Sequence, residues 1–103
     1  MILVTVMYPN DAEAAFDRDY YLQKHIPLVK ERWTELGLTD VQILSGVGQP
    51  NGNPPMYRMI ALLTFGSLQQ FKDAGKAHGR EIFADIANFT NVQPIMQINE
   101  IAG

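Results

Sequence analysis

The sequence predicts an α+β fold, with a four-stranded antiparallel sheet and two helices on one of its faces. Three observations carry that prediction. Apolar, β-branched runs alternate with segments of helical spacing in the order β-α-β-β-α-β. Turn-forming residues punctuate most of the joins, so the runs stay separate. A chain of 103 residues can bury one core but not two, so residues 1–103 are expected to form one domain.

The first strand covers residues 2–8 and stops at Pro9, Asn10 and Asp11, which favour turns. Its apolar start has no basic flank, so it predicts a strand and not a secretory leader. Asp17 suits the N-cap of a helix running toward Gly37, with Asp19 near the positive end of the dipole. Leu22, His25, Val29, Trp33 and Leu36 recur at intervals of three or four and make one stripe on it. Gly37 fits the left-handed position that ends the helix. Pro27 offers no N–H to the Gln23 carbonyl, which predicts a kink beside His25.

Residues 41–47 and 56–65 read as the second and third strands, joined by a Gly-, Pro- and Asn-rich loop over 48–55. Ser67 opens a second helix, with Gln70 completing a capping box. Leu68, Phe71, Gly75 and His78 share one face of it, and Gly79 is expected to end it. Residues 81–89 form a further short helical piece, and residues 93–101 the last strand. This is the ferredoxin-like connectivity. Right-handed crossovers place both helices on the same sheet face.

A sheet with one covered and one wet face should alternate cleanly between apolar and polar residues. Here it does not. The first strand carries Ile2, Val4, Val6 and Tyr8 on one side, with Leu3 and Met7 on the other. The third sets Tyr57, Met59, Ala61, Leu63 and Phe65 against Met56, Ile60 and Leu62. Two helices cannot cover both faces. A second copy packed sheet to sheet is the simplest cover, giving a homodimer of the dimeric α+β barrel type.

Composition excludes several functions. The net charge of −3, with eight scattered Lys and Arg, argues against nucleic acid, which needs a basic stripe. The absence of cysteine removes disulfides, thiolate metal sites and a thiol nucleophile. No run approaches the roughly 20 apolar residues of a membrane span, so a cytoplasmic location is expected. The His and acid spacings match no metal motif, and Gly46-Val47-Gly48 is followed by no helix to bind a dinucleotide. No metal and no cofactor are expected.

Of the side chains that can carry chemistry, the two histidines alone titrate near neutrality without perturbation. His25, on the stripe that faces the sheet, is the candidate acid/base in a pocket between helix and sheet. The alternative is a buried histidine paired with a carbonyl, that of Gln23 being the one Pro27 leaves free. His78 is placed near the end of the second helix, where capping the dipole would also explain it. Tyr8, Tyr20, Tyr21 and Tyr57 offer phenols on rigid apolar rings, of which Tyr8, Tyr21 and Tyr57 are candidate ligand contacts. Asp85 and Asn88 fall among Phe83, Ile86 and Phe89; an inward turn there makes Asp85 and Phe83 candidates too, against simple surface exposure.

The segment from Phe16-Asp17 to Tyr20-Tyr21 and on through Lys24-His25-Ile26-Pro27-Leu28-Val29 resembles the opening helix of EthD-family proteins. His78-Gly79-Arg80-Glu81-Ile82, Asp85-Ile86 and Asn88-Phe89-Thr90-Asn91 resemble the family's later half, and Gln93-Pro94, Gln97 and Glu100 its last strand. The resemblance spans essentially the whole chain. It implies the dimeric α+β barrel superfamily, with ferredoxin-like subunits joined through their sheets. It also implies a pocket role for His25 and carries a second family histidine over to His78. The founding member accompanies a cytochrome P450 system that degrades an ether fuel additive. Superfamily relatives include lactone isomerases, cofactor-free monooxygenases, polyketide cyclases and haem-degrading enzymes.

Two functions fit this reading. One is a cofactor-free enzyme in degradation or secondary metabolism, acting on a small apolar oxygenated compound such as a lactone, quinone or polyketide. The other is a non-catalytic binding or accessory protein for a neighbouring oxygenase, with methionines giving an adaptable pocket wall. A haem site on His78 lacks the aromatic and amide partners that the haem-degrading relatives would imply.

Overall fold

The strands β1 (Ile2–Pro9), β2 (Leu38–Ser45), β3 (Tyr57–Phe65) and β4 (Ile95–Glu100) form one sheet in the order β2-β3-β1-β4. Every neighbouring pair is antiparallel in the computed structural model, which describes all 103 residues. Of the two helices, α1 (residues 18–33) is α-helical over Arg18–Tyr20 and Ile26–Trp33 and π-helical over Tyr21–His25 between them. It closes in a 3₁₀ turn at Thr34–Leu36. The second, α2, spans Leu68–Ile86. The four-stranded ferredoxin-like sheet with two helices is as the sequence predicts.

The caps act as their chemistry dictates. Asp17 Oδ1 accepts from the Tyr20 N–H at 3.1 Å, and Ser67 Oγ accepts from the Gln70 N–H at 3.1 Å. Gly37 ends the first helix at φ 113°, in the region that favours glycine.

The kink expected at Pro27 takes the form of a π turn, in which the Ile26 N–H donates to the Tyr21 carbonyl. Pro27 thereby falls in the first turn of the next α-helical segment, where its missing N–H costs little. The widened turn advances the helix phase, and Tyr21, His25, Ile26, Val29 and Trp33 are all buried. Leu22, placed on the buried stripe from even spacing, is instead 37% exposed.

Three further expectations are corrected. β2 begins earlier than residue 41, with Leu38 opposite Phe65 across a local register shift, and Val47 lies beyond its end. Gly79 does not end α2, because Ile82 and Ile86 continue the apolar spacing and Ile82 is buried. Burying that side chain outweighs the cost of about 1 kcal/mol for an interior glycine. The separate piece over 81–89 is therefore the last part of α2 and the turn after it. His78 sits mid-helix, so capping of the dipole does not account for it.

Val4, Val29, Trp33, Leu63, Phe65, Ala74 and Ile82 pack in one core cluster between helices and sheet. Tyr8, Tyr21, Ile26, Met59 and Phe89 form a second. The segment after α2 folds back over the start of α1. The Asp17 N–H donates to the Phe89 carbonyl at 2.7 Å, and Thr90 Oγ1 donates to the Ala15 carbonyl at 2.7 Å.

On the outer sheet face the register aligns Leu44, Ile60, Met7 and Ile95 in a row crossing all four strands. The next row is Gln42, Leu62, Thr5 and Gln97. No helix is long and apolar enough to cross a membrane.

Candidate functional site

The π turn shapes the site. It stacks the Tyr21 and His25 rings at 5.8 Å between centroids and 19° between planes. Phe89, delivered by the returning segment, lies 4.7 Å from the imidazole and 5.2 Å from the Tyr21 ring. Tyr8 on β1 meets Tyr21 edge-on at 5.6 Å. His25 is 4% exposed within this aromatic surround.

A carboxylate from the last turn of α2 engages the imidazole. Asp85 Oδ2 lies 2.9 Å from His25 Nδ1, joining groups 60 residues apart. Asp85 Oδ1 accepts from the Tyr20 hydroxyl at 2.6 Å and from Asn88 Nδ2 at 3.0 Å. Burial alone would raise the Asp85 carboxyl, but the hydrogen bonds from Tyr20, Asn88 and His25 outweigh it and hold it below 3.8. Burial holds His25 below 6.5, with the Asp85 hydrogen bond and charge opposing in part. The imidazole is therefore neutral near neutrality, and with an ionised Asp85 its proton belongs on Nδ1. Nε2 has no hydrogen-bond partner within the chain. This arrangement suits a general base: a bare nitrogen backed by an acid that orients the ring and stabilises its cation.

His25 is also the one polar member of the wall of an apolar cavity between the helices and the sheet. Thirteen residues line it, among them Val6 and Tyr8 from β1, Tyr21 and Val29 from α1, Phe83 from α2 and Met96 from β4. The free interior is about 30 Å³, set in about 420 Å³ of atom-free space that includes the mouth. A ligand of several carbon atoms must therefore displace part of the wall. Phe83, 48% exposed, is the lining side chain with the most room to move.

Of the candidates named from sequence, His25, Tyr8, Tyr21 and Phe83 meet at this cavity. Asp85 stands behind His25 rather than on the surface, and bonds to it. Tyr57 and His78 do not line the cavity; both are half-buried, at the start of β3 and midway along α2. The carbonyl of Gln23 is not the partner of His25. Sequence reasoning missed Tyr20 and Asn88 as partners of Asp85 and Phe89 as the lid on the imidazole. The only available signal was the i, i+3 spacing of Asp85 and Asn88, which places them on one helix face. No three His, Asp or Glu side chains gather where they could hold a metal.

The model of the EthD domain matches residues 10–93. An uncharacterized 11.0 kDa protein of the thcB–thcC intergenic region of Rhodococcus erythropolis is 33% identical over 95 residues, covering 88% of this chain and 85% of that one. The crystal structure of an EthD-like protein from Ralstonia eutropha JMP134 superposes with a TM-score of 0.91 at 35% identity, over 99% of this chain and 92% of that one. A more distant structure, from an uncultured marine organism, is described as a dimeric ferredoxin-like protein. It shares the fold at 12% identity and a TM-score of 0.56, over 100% of this chain and 96% of that one. The matched segment runs from the end of β1 to the approach of β4 and carries both His25 and Asp85, and on that match the chain belongs to the EthD family.

Proposed function

We propose that this chain binds a small, largely apolar, oxygenated metabolite in the cavity between helices and sheet, where His25 moves a proton on it. The observation that carries the reading is the His25–Asp85 pair, whose imidazole lines an otherwise apolar cavity and leaves Nε2 free. Asp85 positions His25, while Tyr8 and Phe83 supply apolar contact. The step requires no cofactor. A homodimer joined through the outer sheet faces belongs to the same reading. The apolar row on that face supports it, as does the description of a structure with the same fold as dimeric.

The test is His25→Ala in a screen of lactones, quinones and polyketide-like phenols, with affinity and turnover measured separately. Turnover should fall at least 100-fold with affinity held within a few-fold. Weakened binding with no turnover in the unaltered protein would instead make the chain a binding or accessory protein.

A further inference from the structure

One polar atom in the cavity wall lacks any role in the fold. The Tyr21 hydroxyl is fully buried without a hydrogen-bond partner, and it is the one buried side-chain nitrogen or oxygen so placed. The ring is held by Tyr8, Phe16 and Phe89, contacts that a phenylalanine would make equally well. The hydroxyl alone costs the empty protein about 1–3 kcal/mol of unmet hydrogen bonding. Four residues on, the stacked His25 ring presents the complementary deficit, an acceptor with no donor. One helical turn thus offers a free donor and a free acceptor to the same apolar cavity.

We infer that the ligand carries a carbonyl group with an acidic C–H beside it, and that Tyr21 is a catalytic residue that binds the carbonyl oxygen while His25 takes the proton. The inference rests on the proton-transfer reading above and names its substrate class: enolisable ketones and lactones. The step balances without a co-reactant. The α-C–H bond breaks and its proton goes to Nε2, giving an imidazolium held by Asp85. The C–H electron pair becomes the C=C bond, and the carbonyl π pair moves onto oxygen, where the Tyr21 O–H stabilises it. The proton then returns to the same carbon or to a conjugated one, completing exchange or isomerisation. An alcohol would satisfy both free groups, yet it would leave the imidazolium that Asp85 is placed to stabilise with no step in which to form. Burial raises the Tyr21 phenol well above its ordinary 10.0, which keeps it a donor and not a second base.

The experiment follows deuterium exchange at the α-carbons of 2-indanone in D₂O by proton NMR, with indane as the hydrocarbon of similar shape. The protein should accelerate exchange over buffer, and His25→Asn should return it to the buffer rate. Tyr21→Phe should slow exchange about 100-fold while leaving indane affinity unchanged and the melting temperature unchanged or higher. A purely structural tyrosine would lose melting temperature and keep the exchange rate. Exchange at the full rate in Tyr21→Phe overturns the assignment. Binding of 2-indanone without exchange overturns the enolisation step but spares the cavity reading, whereas binding of neither compound overturns both.

Discussion

At the scale of single residues, the site is a set of unequal partnerships. Asp85 accepts three hydrogen bonds, from Tyr20, Asn88 and His25, while the Tyr21 hydroxyl has none. Asp85→Asn exchanges an anionic acceptor for a group that can also donate, so the imidazole proton is no longer fixed on Nδ1. Nitrogen NMR should show one neutral tautomer in the parent protein and a mixture in the variant, with a stability loss of about 1–3 kcal/mol. The pair also sets how stability responds to acid. Unfolded His25 takes up a proton as pH falls through 6.5, whereas the folded side chain, held lower by burial, resists. Acidification below 6.5 therefore favours the unfolded chain. Asp85 adds a second loss in the same direction, as pH falls from 3.8 through its lower folded value. Melting temperature should fall in both windows, and His25→Asn should remove the upper fall while leaving the lower.

At the scale of elements, the helices show what a sequence discloses and what it conceals. Caps were legible because they are local: Asp17, Ser67 and Gly37 act within four residues of themselves. So was His25 as an inward-facing residue. The extra residue of the π turn was not, because apolar spacing near Pro27 fits an even helix almost as well. The end of α2 was misplaced because Gly79 is a stop only when nothing beyond it is buried. The Asp85 contact depends on how α2 crosses α1, which no local pattern encodes. Two glycines separate these effects. A Cβ at Gly79 would meet no atom within 4 Å, so Gly79→Ala should stabilise by about 1 kcal/mol through helix propensity. At Gly37, a Cβ would lie 2.8 Å from the Gln70 side chain on a backbone of φ 113°. Gly37→Ala should destabilise by about 1 kcal/mol or more. Urea unfolding of both variants measures the pair.

At the scale of the whole molecule, the sheet divides the labour. One face carries the helices and the cavity, and the other carries the row of Leu44, Ile60, Met7 and Ile95. Failed alternation in β1 and β3 made that second apolar face visible from sequence, although the alignment of the row needed the register. If a second copy covers it, a charge there should separate the subunits while the cavity on the far face stays intact. Leu44, on the edge strand and 42% exposed, is the position to change. Leu44→Glu should convert a dimer to a monomer by sedimentation while retaining ligand affinity. A dimer unmoved by the substitution would place the contact elsewhere.

The π turn gives the site an asymmetric tolerance to genetic change. Leu22, Gln23 and Lys24 are exposed within it, so their identities are nearly free. Their number is not. Losing any one of them would restore the ordinary helical repeat and rotate Tyr21, Tyr20 and the Asp17 cap by about 100° relative to His25. Tyr21 would then leave the cavity and Tyr20 would lose Asp85. The site is thus indifferent to spelling across three codons but bound to their count, and a single in-frame deletion there would do more harm than three simultaneous replacements.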